Sequence, residues 1–157
     1  LDYWRCNMAI TLSMSTSFKV NILKGLHAFG TSVIRAGTTA DSFKVALYTS
    51  SATLDATTTA YSSTNEVTGT NYTAGGAAIT IVTAPTSTST TAWLDFTDTT
   101  WATSTITARG ALIYNDTSSG DLSVGALDFG SDKTSTAGNF TIVWPAGDST
   151  NAIIRIS

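Results

Sequence analysis

The 157-residue chain offers few side chains for catalysis, because it has one His, one Cys and 11 carboxylates beside 31 Thr and 19 Ser. A hydroxyl or thiol nucleophile needs an adjacent base. His27 lies beside the apolar face of a predicted helix, which is typical of a packed histidine, and no Gly-x-Ser-x-Gly motif is present. Cys6 precedes every predicted core segment and has no second Cys with which to form an internal disulfide. The sequence therefore predicts no nucleophilic site and no catalytic residue.

Two pairs of carboxylates are close in sequence, and a glycosidase works with such a pair. Asp95 and Asp98 belong to a predicted strand and the turn after it, and Asp116 and Asp121 flank a polar turn. A glycosidase usually holds one carboxyl in an apolar pocket, whereas Asp95 alternates with Trp93 and is predicted to face solvent. We therefore expect surface carboxylates here, and a glycosidase that uses Asp95 and Asp98 stays as an alternative.

Metal and cofactor sites need clusters of ligands that this sequence does not show. The oxygen-rich groups Asn115 with Asp116 and Asp128 with Asp132 do not have the spacing of an EF-hand loop. Zinc sites use several His or Cys ligands, and no glycine motif for phosphates is present. We expect no cofactor and no metal.

Three tryptophans could form a platform on which sugars stack. Trp93, Trp101 and Trp144 are each flanked by strand-type residues, so we expect them to pack in the core. A carbohydrate-binding module that uses these tryptophans is the alternative.

Composition excludes several classes of protein. Only 12 % of residues are charged, against about 25 % in a typical soluble domain, yet the mean hydropathy of +0.14 and the net charge of −3 do not fit intrinsic disorder. The 8 Lys and Arg are spread along the chain, so no basic face for nucleic acid is predicted.

No apolar run reaches the length of a membrane span and no signal-peptide pattern is present. We also expect residues 1–7, which precede Met8, to lie outside the folded core.

The N-terminal part of the chain divides into an arm and a helix. Residues 1–16 are predicted to be an extension or arm, in which Ile10, Leu12 and Met14 alternate with polar residues. Apolar residues then recur every three or four positions from Phe18, which predicts a helix over 17–29. The remaining chain, 17–157 including this helix, is predicted to be a single β-sandwich domain.

Beyond residue 37 the pattern changes to short strands. Strands are predicted at 43–49, 77–84, 93–96, 106–114, 122–129, 140–144 and 152–156, with Pro85 ending the second and 86–91 connecting it to the third. Residues 51–61 could form a short helical turn, although their threonines disfavour a long helix, and residues 62–76 are predicted to be a loop or a weak edge strand. The prediction is an all-β protein with a β-sandwich or jelly-roll-like body of about seven to eight strands and one N-terminal helix.

Six strings of residues form a distinctive set: MAI at 8–10, SFKVALYT at 42–49, YTAGG at 72–76, ARGALIYN at 108–115, FGSDKT at 129–134 and FTIVWP at 140–145. Over most of residues 8–157 this set resembles a small structural protein of tailed bacteriophages. The resemblance implies a non-enzymatic virion protein of the head or tail, with the major capsid protein or another virion protein as its partner. We expect a capsid decoration (cement) protein that forms a trimer or dimer and binds no nucleic acid or membrane. A tail, fibre-attachment or host-binding component is the alternative.

The arm supplies the candidate partner-binding residues, which are Ile10, Leu12, Met14 and Phe18. Its apolar alternation has no partner strand nearby in sequence, so the arm could add to the sheet edge of a neighbouring chain. The alternative is that the arm pairs with the chain's own sheet.

Overall fold

The computed structural model describes residues 10–15, 18, 22, 26–27, 29, 40–89 and 91–156. These residues form eight strands, which are β1 (Ser13–Met14), β2 (Phe43–Tyr48), β3 (Ala77–Ile79), β4 (Ile81–Thr88), β5 (Thr91–Phe96), β6 (Thr99–Asn115), β7 (Leu122–Ile142) and β8 (Ile154–Ile156). A five-stranded sheet has the order β1-β7-β6-β2-β3, a three-stranded sheet has the order β4-β5-β8, and both are antiparallel. The predicted all-β class is confirmed, whereas the helix predicted over 17–29 lies largely outside the described residues.

The five-stranded sheet is covered on both faces, and β2 shows how its sequence achieves this. Phe43, Val45 and Leu47 point to the core that the two sheets share. Ala46 and Tyr48 point to the opposite face, where the buried Leu54 packs in a second apolar cluster. Because successive side chains of a strand alternate between faces, the apolar run of β2 fits a strand that is buried on both sides.

One long hairpin, β6–β7, replaces three strands predicted separately between residues 106 and 144. Residues 130–139, which separate two of the predicted strands, continue β7 and remain paired with β6. Register shifts occur along this ladder, and Gly130 and Ala137 have positive φ angles. Extra residues can thus be accommodated in bulges without ending the strand, which is why a segment rich in Gly, Ser and Thr stays extended.

Pro85 does not end its strand, so that prediction is wrong. Strand β4 runs through Pro85 to Thr88, and Thr86, Ser87 and Thr88 pair with β5 rather than forming a connector. A proline is tolerated where no ladder bond needs its missing N–H. Strand β4 lies at the edge of its sheet, and its register with β5 shifts between Thr83 and Thr86.

The strand predicted at 77–84 is divided between the two sheets at Thr80. Strand β3 pairs with β2 in the larger sheet, and β4 pairs with β5 in the smaller one. The turn before β3 depends on Gly76, which has a φ of 74° and lies so close to β2 that a Cβ atom would be 2.0 Å from the carbonyl oxygen of Val45. A glycine is therefore required where the chain enters β3.

Candidate functional site

The N-terminal arm crosses the edge of β7 and reaches both faces of the larger sheet. Ser13 pairs with Ala126, and Met14 pairs with Gly125. Ile10 is buried in the cluster on one face, whereas Phe18 is buried in the core between the sheets. Of the two arrangements expected for the arm, pairing with the chain's own sheet is the one seen at β1.

Ser15 holds the arm against β7 through hydrogen bonds. No pattern in the neighbouring sequence predicts this role. Its buried hydroxyl oxygen accepts a hydrogen bond from the Phe18 amide at 3.2 Å and from the Ser123 hydroxyl at 3.1 Å. The Ser15 amide also donates to the Val124 carbonyl at 3.4 Å. Because Ser15 and Ser123 are far apart in sequence, only the folded sheet brings them together.

A cleft of about 430 Å³ lies between this part of the arm and β8. Leu12, Met14 and Phe18 line one side, so three of the four predicted partner-binding residues share one cavity. Ile10 lies on the opposite face of the sheet. The other lining residues come from β6, from β7 and from the C-terminal part of the chain: Ile113, Val124, Gly125, Ala126, Leu127, Pro145, Asn151, Ile153, Ile154 and Arg155. The cleft is predominantly apolar, and Leu12 is 62 % exposed beside it.

A second groove, of about 480 Å³, lies farther along β7. Its apolar lining comes from Phe129, Phe140, Ile142 and Val143, of which Val143 is 71 % exposed. Strand β1 pairs with only two residues of β7, and no other described strand pairs with that edge. We call the cleft, the groove and this edge of β7 the open side. Unpaired backbone groups at a strand edge can pair with another extended chain, so the open side has the chemistry to bind a strand.

The acidic residues predicted as surface carboxylates bind backbone amides or a lysine. Asp98 accepts a hydrogen bond from the Trp144 amide at 3.0 Å, and Asp95 accepts one from the Phe96 amide at 2.9 Å. Asp116 forms an ion pair with Lys44 at 2.8 Å. These contacts join Asp95, Asp98 and Asp116 to neighbouring strand ends and to β2.

The three tryptophans do not share one exposed face. Trp101 and Trp144 are buried in the core, where Trp144 packs against Phe96 with ring centroids 5.4 Å apart. Trp93 is half-buried, and its indole N–H donates to the Thr88 hydroxyl at 3.2 Å. This arrangement offers no common platform for a sugar.

Asn115, which has no exposed surface, organises a buried polar cluster that includes His27. Its side-chain oxygen accepts hydrogen bonds from the amides of Thr117 and Ser118 at 2.9 and 3.0 Å. The side-chain nitrogen must therefore be the group that lies 3.1 Å from His27 Nδ1 and 2.8 Å from Asp41 Oδ2. Because that nitrogen can only donate, His27 Nδ1 accepts and carries no proton.

Glu66 is the centre of a second buried cluster, within a segment that shows no clear period in the sequence. The residue is 8 % exposed, and its carboxylate accepts hydrogen bonds from the hydroxyls of Tyr61 and Tyr72, each at 2.6 Å. The Gly75 amide donates a third bond at 2.8 Å, and the Tyr72 hydroxyl accepts one from the Leu47 amide at 2.9 Å. These bonds join the segment before β3 to the central strand β2.

The tyrosines of this region predict a loss of stability in alkali. Burial raises the pKa of Tyr61 to about 12 and raises the pKa values of Tyr72, Tyr48 and Tyr114 still further. In the unfolded chain a tyrosine ionises near pH 10, so above that pH the unfolded state loses protons that the folded state retains. Stability is full below about pH 10 and falls as the pH rises toward the folded pKa values.

Urea unfolding between pH 8 and pH 12 measures this loss. Between its pKa in the unfolded chain and its pKa in the folded chain, each tyrosine lowers the free energy of unfolding by about 1.4 kcal/mol per pH unit. Tyr72→Phe removes one of the four groups and should give a shallower slope than the unmodified chain. Equal slopes for the two proteins would contradict the assignment of Tyr72.

No membrane-spanning helix, judged by length and apolar character, occurs in the described part of the chain. Within that same part, no group of three or more His, Cys, Asp or Glu side chains is placed to hold a metal ion. No protein-family model, curated protein or solved structure matches this chain.

Proposed function

We propose that this protein is a non-enzymatic virion component, a capsid decoration (cement) protein with a β-sandwich body that stabilises a phage head. The observation that carries the proposal is the open side, where Leu12, Met14 and Phe18 line an apolar cleft beside the edge of β7, which β1 pairs at only two residues. The resemblance of the six strings to a tailed-phage structural protein supports the same assignment.

The open side suits an extended, apolar segment of the major capsid protein. Such a segment can continue the line of β1 along β7, so that its backbone pairs with the edge and alternate side chains enter the cleft and the groove. Burial of apolar surface contributes about 25 cal/mol per Å², and the exposed Leu12 and Val143 provide such surface. A persistent contact of this kind is what a stabilising shell component requires.

The composition of the surface supports a protein partner. With 12 % charged residues and 50 hydroxyl residues, the surface is polar chiefly through Thr and Ser. Burying a hydroxyl that keeps a hydrogen bond costs less free energy than burying a charge. Contacts with neighbouring proteins can therefore form without removing many charges from water.

A binding assay on heads of the phage particle tests the proposal. Leu12→Asp places a charge at the cleft and should weaken binding at least tenfold, which corresponds to about 1.4 kcal/mol. The matched control is Val82→Asp, because Val82 is also apolar and 61 % exposed but lies on β4. Equal binding by the two variants would exclude the cleft as the contact.

Location in the particle separates the two virion hypotheses. A symmetric reconstruction should show density for the protein repeated over the head, at a copy number near that of the major capsid protein. Density confined to one vertex would instead establish a tail or fibre-attachment component.

Glycan binding that disappears in a folded Trp93→Ala variant would support the carbohydrate-binding alternative.

A further inference from the structure

Among the described residues, each cavity of the open side is lined by one charged residue, and in both cavities that residue is a cation. Arg155 belongs to the lining of the cleft, and Lys133 belongs to the lining of the groove. No described Asp or Glu lines either cavity, although the whole chain has 11 Asp and Glu against 8 Lys and Arg. The cavities therefore combine apolar surface with positive charge in a chain that is acidic overall.

The two carboxylates of β7 are close to a different cation. Asp128 lies between Leu127 and Phe129, which pack in or against the core, so the Asp128 side chain points to the opposite face of the sheet. The Arg109 guanidinium lies 3.6 Å from Asp128 and 3.8 Å from Asp132. The acidic residues of this strand are thus accounted for by Arg109 and do not compensate the cations of the two cavities.

Arg155 and Lys133 keep donors for an incoming group. A guanidinium and an ammonium each have several N–H donors. Arg155 donates to the Ala152 carbonyl at 2.9 Å, and Lys133 donates to the Ser131 hydroxyl at 3.0 Å. Within the described part of the chain, neither cation forms an ion pair. Their other N–H groups can bind a carboxylate, to which an arginine can donate two parallel bonds.

Asp148, the acidic residue closest to Arg155 in sequence, is already used by the turn before β8. One of its carboxylate oxygens accepts bonds from the amides of Thr150 and Asn151 at 2.7 and 2.6 Å, and the other accepts one from the Asn151 side chain at 2.9 Å. The bonds from Asn151 and Thr150 and, to a smaller extent, the charge of Arg155 hold the pKa of Asp148 below its usual value. This turn therefore has no second carboxylate to offer Arg155.

We propose that the segment bound by the open side is an extended apolar stretch of a partner protein that carries acidic side chains, which pair with Arg155 in the cleft and Lys133 in the groove. Covering a cation with apolar surface and no opposite charge costs free energy, so a segment that fills both cavities needs carboxylates beside its apolar side chains. This inference rests on the proposed function, because it names the chemistry of the partner at the same contact.

The two cations give the bound segment a defined register. A strand that pairs with the edge of β7 can slide by two residues without changing which of its side chains face the cavities. A carboxylate that pairs with Arg155 is in place in one of these registers. The charges thus select among arrangements that backbone pairing alone permits.

Binding of short peptides to the full chain tests this chemistry. The probes are acetylated and amidated peptides of one alternating Val and Thr sequence, whose first and last residues are both Glu, both Gln or both Lys. Fluorescence anisotropy should show that the Glu peptide binds at least tenfold more tightly than the Lys peptide. A double variant, Arg155→Gln with Lys133→Gln, should bind all the peptides equally. Arg109→Gln is the matched control, because Arg109 is also partly exposed but lines neither cavity, and it should keep the preference.

Three results would overturn the inference. The unmodified chain could bind the peptides equally or fail to bind the Glu peptide. A preference for Glu could persist in the double variant. Sedimentation velocity of the chain alone could show a doubled mass that the double variant loses, which would assign the open side to a second copy.

The assay on phage heads separates this inference from the proposed function. The double variant should bind heads at least tenfold more weakly than Arg109→Gln does. If the double variant binds heads as the unmodified chain does while Leu12→Asp binds weakly, the acidic chemistry is wrong and the proposed contact stands. If Leu12→Asp binds as well as Val82→Asp, the proposed contact itself is wrong.

Discussion

Replacing Glu66 by Ala should lower the free energy of unfolding by about 3–5 kcal/mol. The buried carboxylate accepts hydrogen bonds from two tyrosine hydroxyls and one backbone amide. Its removal leaves three donors in a largely buried site without the acceptor that they share. The segment before β3 would also lose its connection to β2 through Tyr72, so the effect extends beyond one side chain.

Urea unfolding at pH 7 measures this change through the transition midpoint. Asp132→Ala is the matched control, because this carboxylate is half exposed and lies 3.8 Å from the Arg109 guanidinium. An exposed ion pair of that kind contributes at most about 1 kcal/mol. Glu66→Ala behaving like Asp132→Ala would show that the carboxylate does not hold the cluster together.

Replacing Asn115 by Ala should cost about 3–5 kcal/mol of stability. The side chain is completely buried and forms hydrogen bonds with four partners: the Thr117 and Ser118 amides, the His27 ring nitrogen and the Asp41 carboxylate. Alanine satisfies none of them. Asn139→Ala is the control, because Asn139 is exposed and accepts one longer bond of 3.3 Å.

Asn115→Asp tests the direction of these bonds. The new carboxylate can still accept from the Thr117 and Ser118 amides, but its second oxygen faces Asp41 Oδ2 at the place where the amide nitrogen donates over 2.8 Å. Two carboxylates at this distance cannot both stay ionised without a large cost. The deficit in unfolding free energy relative to the unmodified chain should therefore shrink as the pH falls from 7 toward 4. A deficit independent of pH would contradict the assignment of the donor.

Local patterns in the sequence predicted the strands that are buried. The alternation of Phe43, Val45 and Leu47 identified β2, and this pattern depends on a period of two that is visible within one segment. The same reasoning failed at Pro85, because an edge position and a register shift are properties of the assembled sheet. The same reasoning also predicted three strands where the structure has two, β6 and β7, because bulges let Gly, Ser and Thr remain in a long strand.

The polar clusters could not be predicted from local patterns. Asn115 and His27 are 88 residues apart, and Ser15 and Ser123 are 108 apart. Their contacts depend on which strands become neighbours, which no short period of residues encodes. The candidate interface was partly predictable, since alternation singled out Leu12 and Met14, but the opposite wall of their cleft comes from β6, β7 and the C-terminal part of the chain.

The strand order of the larger sheet also determines when this chain can fold. Strand β2 pairs with residues 110–115, and β1 pairs with residues 125–126. Neither pairing can form until these partner residues, which are translated much later, have been synthesised. The β4–β5 and β6–β7 hairpins, in contrast, join neighbours in sequence and close short loops, which is fast. On the ribosome, the apolar side chains of β2 remain without their sheet until β6 has emerged. Nascent chains are therefore most vulnerable to aggregation before the second hairpin is complete.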